Sequence, residues 1–204
     1  MIAVIDYGVG NLFSLCASLK HLGADYKVTN DSDIIKNAEK IILPGVGAFG
    51  DAAEKLKATG LIPVITEKVK NATPIMGICL GMQLLFEKSY EYGEHTGLGF
   101  LKGEICPMAD DLKADLKVPH MGWNGLKINK PDCPILKDIK EGDCVYYVHS
   151  FYAKNCEESL AAYSEYSIDI PGAVWDKNVY GTQFHPEKSG EVGLKILNGF
   201  VKLK

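Results

Sequence analysis

The chain has 204 residues, 47% of them apolar, and a net charge of −4; that is enough for one good core and a single domain over residues 1–204. All 22 basic residues are lysine, and bidentate reading of guanine or phosphate normally falls to arginine, so nucleic acid is not an expected partner. The start, MIAVIDYG, meets an acid at Asp6 and has no hydrophobic signal core, and no apolar run is long enough to span a membrane; a cytoplasmic chain is expected. Six cysteines without a C-x-x-C pair read as reduced thiols, mostly packing residues, and five histidines show no metal-ligand spacing. Neither a metal nor a cofactor is expected.

Ile2–Ile5 reads as a first strand. Asp6–Gly10 turns, and Asn11 is placed to cap a helix whose apolar positions Leu12, Leu15, Cys16, Leu19 and Leu22 recur at helical spacing until Gly23 stops it. Tyr26–Thr29 is a second strand, Ser32–Asn37 a brief helical turn and Lys40–Leu43 a third strand. The loop Pro44–Gly50 leads to helices over roughly Asp51–Lys57 and Leu61–Asn71, then to a short buried strand (Ile75, Met76, Ile78) that runs into Cys79. Strands that alternate with helices and are apolar throughout imply an α/β fold: a doubly wound, mostly parallel mixed sheet with helices on both faces. Ligands of such folds bind at the carboxyl ends of the strands, where Cys79 and the Pro44–Gly47 loop both fall.

After Lys88 the texture changes. Tyr90–Phe100, rich in glycine and tyrosine, reads as a surface loop beside Cys79. Short β segments follow at Lys102–Cys106, Gly125–Ile128, Cys144–Tyr152, Leu160–Tyr166, Ala173–Asp176 and Val179–Phe184, an added antiparallel part. Glu191–Val201 closes the chain as an amphipathic helix through Val192, Ile196 and Phe200.

The chemistry concentrates in three places. In Thr73–Glu87, Cys79 stands between Gly77 and Gly81, the cysteine form of the G-x-S-x-G nucleophile elbow, whose glycines let the chain turn tightly. A thiol at the first turn of a helix meets unpaired N–H groups and the positive end of the dipole, both of which favour the thiolate; the alternative is a small core residue. Gly45–Gly50 formally matches G-x-G-x-x-G, yet the acid that a dinucleotide site needs at the end of the next strand is missing. The loop suits an oxyanion better, with the N–H of Val46 or Gly47 joined by that of Leu80, though a plain turn is also open. In Thr182–Gly190, His185 and Glu187 project to one side of an extended chain, Glu187 holding the ring while His185 takes the thiol proton; by itself His-Pro-Glu could be a surface turn. Of the other histidines, His21 reads as solvated, His95 as part of a mobile loop, and His120 and His149 as packed among aromatics. Trp123, Tyr146, Tyr147 and Phe151 favour the core by residue type.

Pro44–Gly47, Gly77–Gln83 and Thr182–Ser189 together resemble the class I glutamine amidotransferases. Asp6–Leu12, Pro119–Asn124 and Tyr146–Ser150 narrow the resemblance to the branch that serves imidazole glycerol phosphate synthase in histidine biosynthesis. The resemblance implies a glutaminase in which Cys79 attacks the side-chain amide of glutamine, His185 acts as base and acid, and Glu187 orients it. It implies that Gly47 and Gln83 help bind glutamine and that the backbone of His149, Ser150 and Phe151 engages its amino-acid end. It further implies a (β/α)8-barrel cyclase on a separate polypeptide, the glutaminase domain using up this chain, with Asn11, Trp123 and Lys188 on the surface that faces it and ammonia passed between the two. A glutaminase serving another synthase, a non-catalytic module of the same fold, or a cysteine peptidase or thiol-stress protein are the competing readings.

Overall fold

A strand that is apolar at every position must be covered on both faces, and the first half of the chain meets that demand with helices on two sides. The structure is a computed structural model and describes residues 1–113 and 116–203. Strands β1 (Ile2–Ile5), β2 (Tyr26–Thr29), β3 (Lys40–Gly45) and β4 (Ile75–Cys79) are parallel and lie in the order β2-β1-β3-β4. Successive residues sort to opposite faces, as the two-residue period of a strand requires. Ala3, Ile5, Ile41, Leu43 and Ile75 enter one core; Ile2, Val4, Ile42, Met76 and Ile78 enter the other.

Helix α1 (Leu12–His21) buries Leu15 and Leu19, one turn apart, in the second core, and α2 (Ser32–Lys36) is one capped turn. On the first core lie α3 (Phe49–Ala58) and α4 (Ile62–Lys70), through Phe49, Ala52, Leu56, Val64 and Ile65. Helix α5 (Leu80–Leu84) follows β4 directly and is buried at every position. The closing helix α6 (Gly190–Val201) covers the second core beside α1, through Ile196, Leu197 and Phe200.

The added β part is more divided than one antiparallel segment. Its strands are β5 (Lys88–Ser89), β6 (His95–Thr96), β7 (Glu104–Pro107), β8 (His120–Gly125), β9 (Lys127–Ile128), β10 (Cys144–His149), β11 (Phe151–Lys154), β12 (Leu160–Glu165), β13 (Asp169–Asp176) and β14 (Val179–Thr182). Strand β14 joins β4 in parallel, and β13, β12 and β9 continue the large sheet antiparallel, giving eight strands. The others form two small sheets, β10-β8 and β11-β7-β5-β6. The run expected as one strand over Cys144–Tyr152 therefore breaks at Ser150, because its first part pairs with β8 and its second with β7. Alternation along a chain carries no mark of a change of partner. Likewise Gly125–Ile128 proves to be the junction of β8 and β9, and Tyr90–Phe100 contains β6 and the buried Glu91 and is not simply a surface loop.

Candidate active site

The register of the parallel sheet assembles the site. Gly45 stands opposite Cys79, and Thr182 opposite Ile78, so the loop after β3, the turn after β4 and the segment after β14 leave the sheet side by side. Cys79 carries the turn itself, with φ +54° and ψ −112°, a left-handed conformation that costs a side-chain residue on the order of 1–3 kcal/mol. It occupies the N-cap position of α5, 7% exposed.

His185 reaches the sulfur from a differently shaped segment than the sequence suggested. The strand ends at Thr182, and Pro186–Lys188 is a turn of 3-10 helix. His185 and Glu187 are therefore not neighbours on an extended chain, but the turn still brings His185 Nδ1 within 2.8 Å of Glu187 Oε1, both side chains being 3% exposed. Strand β10 holds this turn: His185 N–H donates to Tyr146 O at 3.0 Å, Tyr146 N–H donates to Ser189 Oγ at 2.9 Å, and Ser189 Oγ–H donates to His185 O at 2.6 Å. Burial alone favours the neutral ring. Hydrogen bonding to the Cys79 sulfur and to Glu187, with the charges of both, outweighs it and pushes His185 up to about 9. At neutral pH the ring holds its proton beside the sulfur, a state suited to giving that proton to a leaving group.

Cys79 and His185 open onto a cavity of about 340 Å³ that Val46, Gly47, Leu80 and Gln83 also line, a size suited to a small ligand. The segment His149–Phe151 forms another wall. Four further residues in the wall were not named as site residues from the sequence. Glu91 is 9% exposed and its Oε2 accepts Phe49 N–H at 2.6 Å; burial raises its carboxyl above the ordinary range, against the pull of that N–H. Tyr92, 88% exposed, meets Phe151 edge-on at 6.1 Å. Pro119 and Val148 are the other two. An acid in a glycine-rich stretch looks solvated in sequence, and no local signal marks it as buried. Such a cavity can hold a small ligand beside the sulfur, with the Glu91 carboxyl for a cationic end. Among the described residues no group of His, Cys, Asp and Glu side chains has the spacing of a metal site.

The profile of the family Glutamine amidotransferase class-I matches residues 3–203. The chain belongs to that family. Among its relatives, the Imidazole glycerol phosphate synthase subunit HisH of Caldanaerobacter subterraneus is 51% identical over 98% of this chain and 97% of its own length. The subunit of the same name from Geobacillus kaustophilus is 48% identical, covering 98% and 96%. Among solved structures, PurLQS from Thermotoga maritima superposes with a TM-score of 0.74 at 21% identity, over 98% of this chain and 96% of that one. A further glutamine amidotransferase gives 0.74 at 16%, covering 97% of each. These structures share the fold.

In this amidotransferase the two remaining aromatic-rich segments carry a buried histidine pair. His120 lies between the rings of Tyr147 (4.7 Å) and Tyr166 (4.1 Å). His149 Nδ1 is 2.8 Å from Phe151 O, which can only accept, so Nδ1 carries the proton and Nε2 is left as an acceptor. His120 Nδ1, 3.1 Å away, must then donate, and its Nε2 faces the Asn124 amide at 3.4 Å. Burial keeps both rings neutral, lowering His120 to about 4 and His149 to about 3.

The three residues expected on a partner-facing surface lie outside the cavity. Trp123 is 58% exposed, contrary to a core placement, and meets Tyr146 edge-on at 6.0 Å. Lys188 is exposed on the turn that holds His185. Asn11 is half-buried at the start of α1, which packs against that turn, but its side chain makes no capping hydrogen bond. His21 is exposed, as expected, whereas His95 is half-buried, close enough that a Cβ on Gly50 would meet its ring at 2.6 Å.

Proposed function

We propose that this chain is the glutaminase subunit of an imidazole glycerol phosphate synthase, one amidotransferase domain over residues 1–204 that works in the cytoplasm. It hydrolyses L-glutamine to glutamate and ammonia for histidine biosynthesis. The observation that carries the reading is that Cys79 and His185, the latter held by Glu187 from behind, face one amino-acid-sized cavity in a chain about half identical to HisH subunits.

Cys79 attacks the side-chain amide carbon of glutamine, and the developing oxyanion is met by the N–H groups of Leu80 and of Val46 or Gly47. The C–N bond breaks as His185 gives its proton to the departing nitrogen, which leaves as ammonia. Water, deprotonated by His185, then attacks the thioester; its collapse releases glutamate and the sulfur. Glu187 holds the ring through Nδ1, leaving Nε2 for the sulfur. Both hydrogens of the Gln83 amide bond to protein oxygens, Phe151 O at 3.2 Å and Gln183 Oε1 at 2.9 Å. Its own oxygen is therefore the atom left for substrate, and with Glu91 it suits an α-ammonium group, while the backbone of His149, Ser150 and Phe151 engages the rest of the amino-acid end.

The partner is a (β/α)8-barrel cyclase that takes the ammonia and releases imidazole glycerol phosphate and aminoimidazole carboxamide ribotide. Asn11, Trp123 and Lys188, gathered around the turn that holds His185, form part of the surface it meets. The test is a glutaminase assay with and without the cyclase and its ligand, on wild type and Cys79→Ala. Glutamine-dependent turnover is expected to fall by at least about 10³-fold in the variant, while added ammonia still supports the cyclase. Retained glutamine-driven turnover in Cys79→Ala would overturn the reading.

A further inference from the structure

Gln183 is wholly buried beside Cys79 and Gln83. Its amide lies between two groups, Gln83 Nε2 at 2.9 Å from its oxygen and Cys79 Sγ at 3.8 Å from its nitrogen. Oxygen and nitrogen of an amide are told apart by their partners, and here the partners leave one solution. Phe151 O is a backbone carbonyl and can only accept. It takes a proton from His149 Nδ1 at 2.8 Å and another from Gln83 at 3.2 Å, so the Gln83 atom facing it is nitrogen. That nitrogen also faces Gln183, which must answer with its oxygen. The Gln183 NH₂ group is thereby turned onto the sulfur and cannot flip without setting two donors against each other in a buried site.

The geometry points to Gln183 as a further catalytic residue, one whose side-chain N–H donates to the Cys79 sulfur and stabilises the thiolate for attack. The proposal rests on the glutaminase reading for its place in catalysis, but the bond to sulfur stands independently of it. A thiolate accepts a hydrogen bond far better than a thiol, so a fixed donor favours the ionised form. The donor belongs to the segment that also supplies His185, so one stretch of chain delivers both the proton acceptor and a neutral donor to the same atom.

The test compares wild type with Gln183→Met, of similar length without an N–H, and Gln183→Leu, shorter and likewise without a donor. The rate of alkylation by iodoacetamide is followed against pH, with Cys79 and the exposed Cys144 quantified as separate peptides of one digest. Both variants should move the Cys79 profile upward by about one pH unit, a tenfold loss of thiolate at a given pH, and leave that of Cys144 unchanged. In the glutaminase assay kcat should fall about 10–100-fold, and KM for glutamine should rise as well because Gln83 loses one of its two acceptors. Gln183→Leu introduces the shorter side chain, so the comparison stands if Gln183→Met does not fold. A Cys79 profile that coincides with wild type in a folded variant overturns the proposal. Failure of the glutaminase reading would appear differently, as wild-type protein that hydrolyses no glutamine whatever its alkylation profile.

Discussion

Gly77 and Gly81 flank Cys79, the proposed nucleophile, but not for the reason that a tight turn suggests. Neither has positive φ; the left-handed residue is Cys79 itself. The glycines are required by close approach. A Cβ on Gly77 would lie 2.5 Å from Gly81 O, and one on Gly81 would lie 1.8 Å from Leu43 O, in the strand beneath. Leu43 O belongs to β3, a central strand, and has little room to retreat. Gly81→Ala is therefore expected to cost at least about 2–3 kcal/mol, read as a lower midpoint in urea unfolding. An alanine there that left the midpoint unchanged would show that β3 gives way.

At the scale of elements, the break between β10 and β11 builds the cavity wall. A strand that stayed with one partner through Ser150 would keep its carbonyls in the ladder; the change of partner leaves Phe151 O to His149 and Gln83. The histidine pair that locks this corner has a cost in acid. Both rings are held neutral in the folded chain, well below the ordinary histidine value of 6.5. Between about pH 6.5 and 4 the unfolded chain binds protons that the folded one refuses, so stability falls as pH falls. His120→Phe keeps an aromatic ring between Tyr147 and Tyr166 but leaves His149 Nε2 without a donor. At neutral pH it should cost roughly 1–3 kcal/mol, and its further loss toward pH 4 should be shallower than in wild type because one of the two rings is gone. Urea unfolding at pH 7 and pH 4.5 checks both statements; an equally steep acid loss would mean that His120 is not the group that titrates.

For the whole molecule, the large sheet sets the site at its carboxyl edge and the two small sheets raise a wall beside it. The face around the His185 turn exposes apolar side chains that a self-contained surface has no need of, with Trp123 58% and Met121 61% exposed on β8. Trp123→Ala should leave stability within about 0.5 kcal/mol and weaken association with the proposed cyclase partner by about 1–3 kcal/mol, measured by titration calorimetry. Unchanged affinity would move the interface elsewhere. No helix among the described residues is long and apolar enough to cross a membrane.

The large parallel sheet was legible in the chain because burial on both faces leaves continuous apolar runs, and β1 and β2 fall at the residues expected. Cys79, His185 and Glu187 were also legible as candidates, because a nucleophile, a base and an orienting acid need particular residue types near turns, and the fold brings the three together. The divided β part was not: two antiparallel ladders and a change of partner at Ser150 look the same along a chain, since alternation records which face is buried and not which strand lies alongside. Glu91, the His120–His149 pair and the direction of the Gln183 amide were decided only by tertiary structure, since each depends on atoms from segments far apart in the chain that meet only when the sheet is built. The sequence by itself determined which groups could react. Their protonation and hydrogen-bond direction were decided by the partners that folding placed around them.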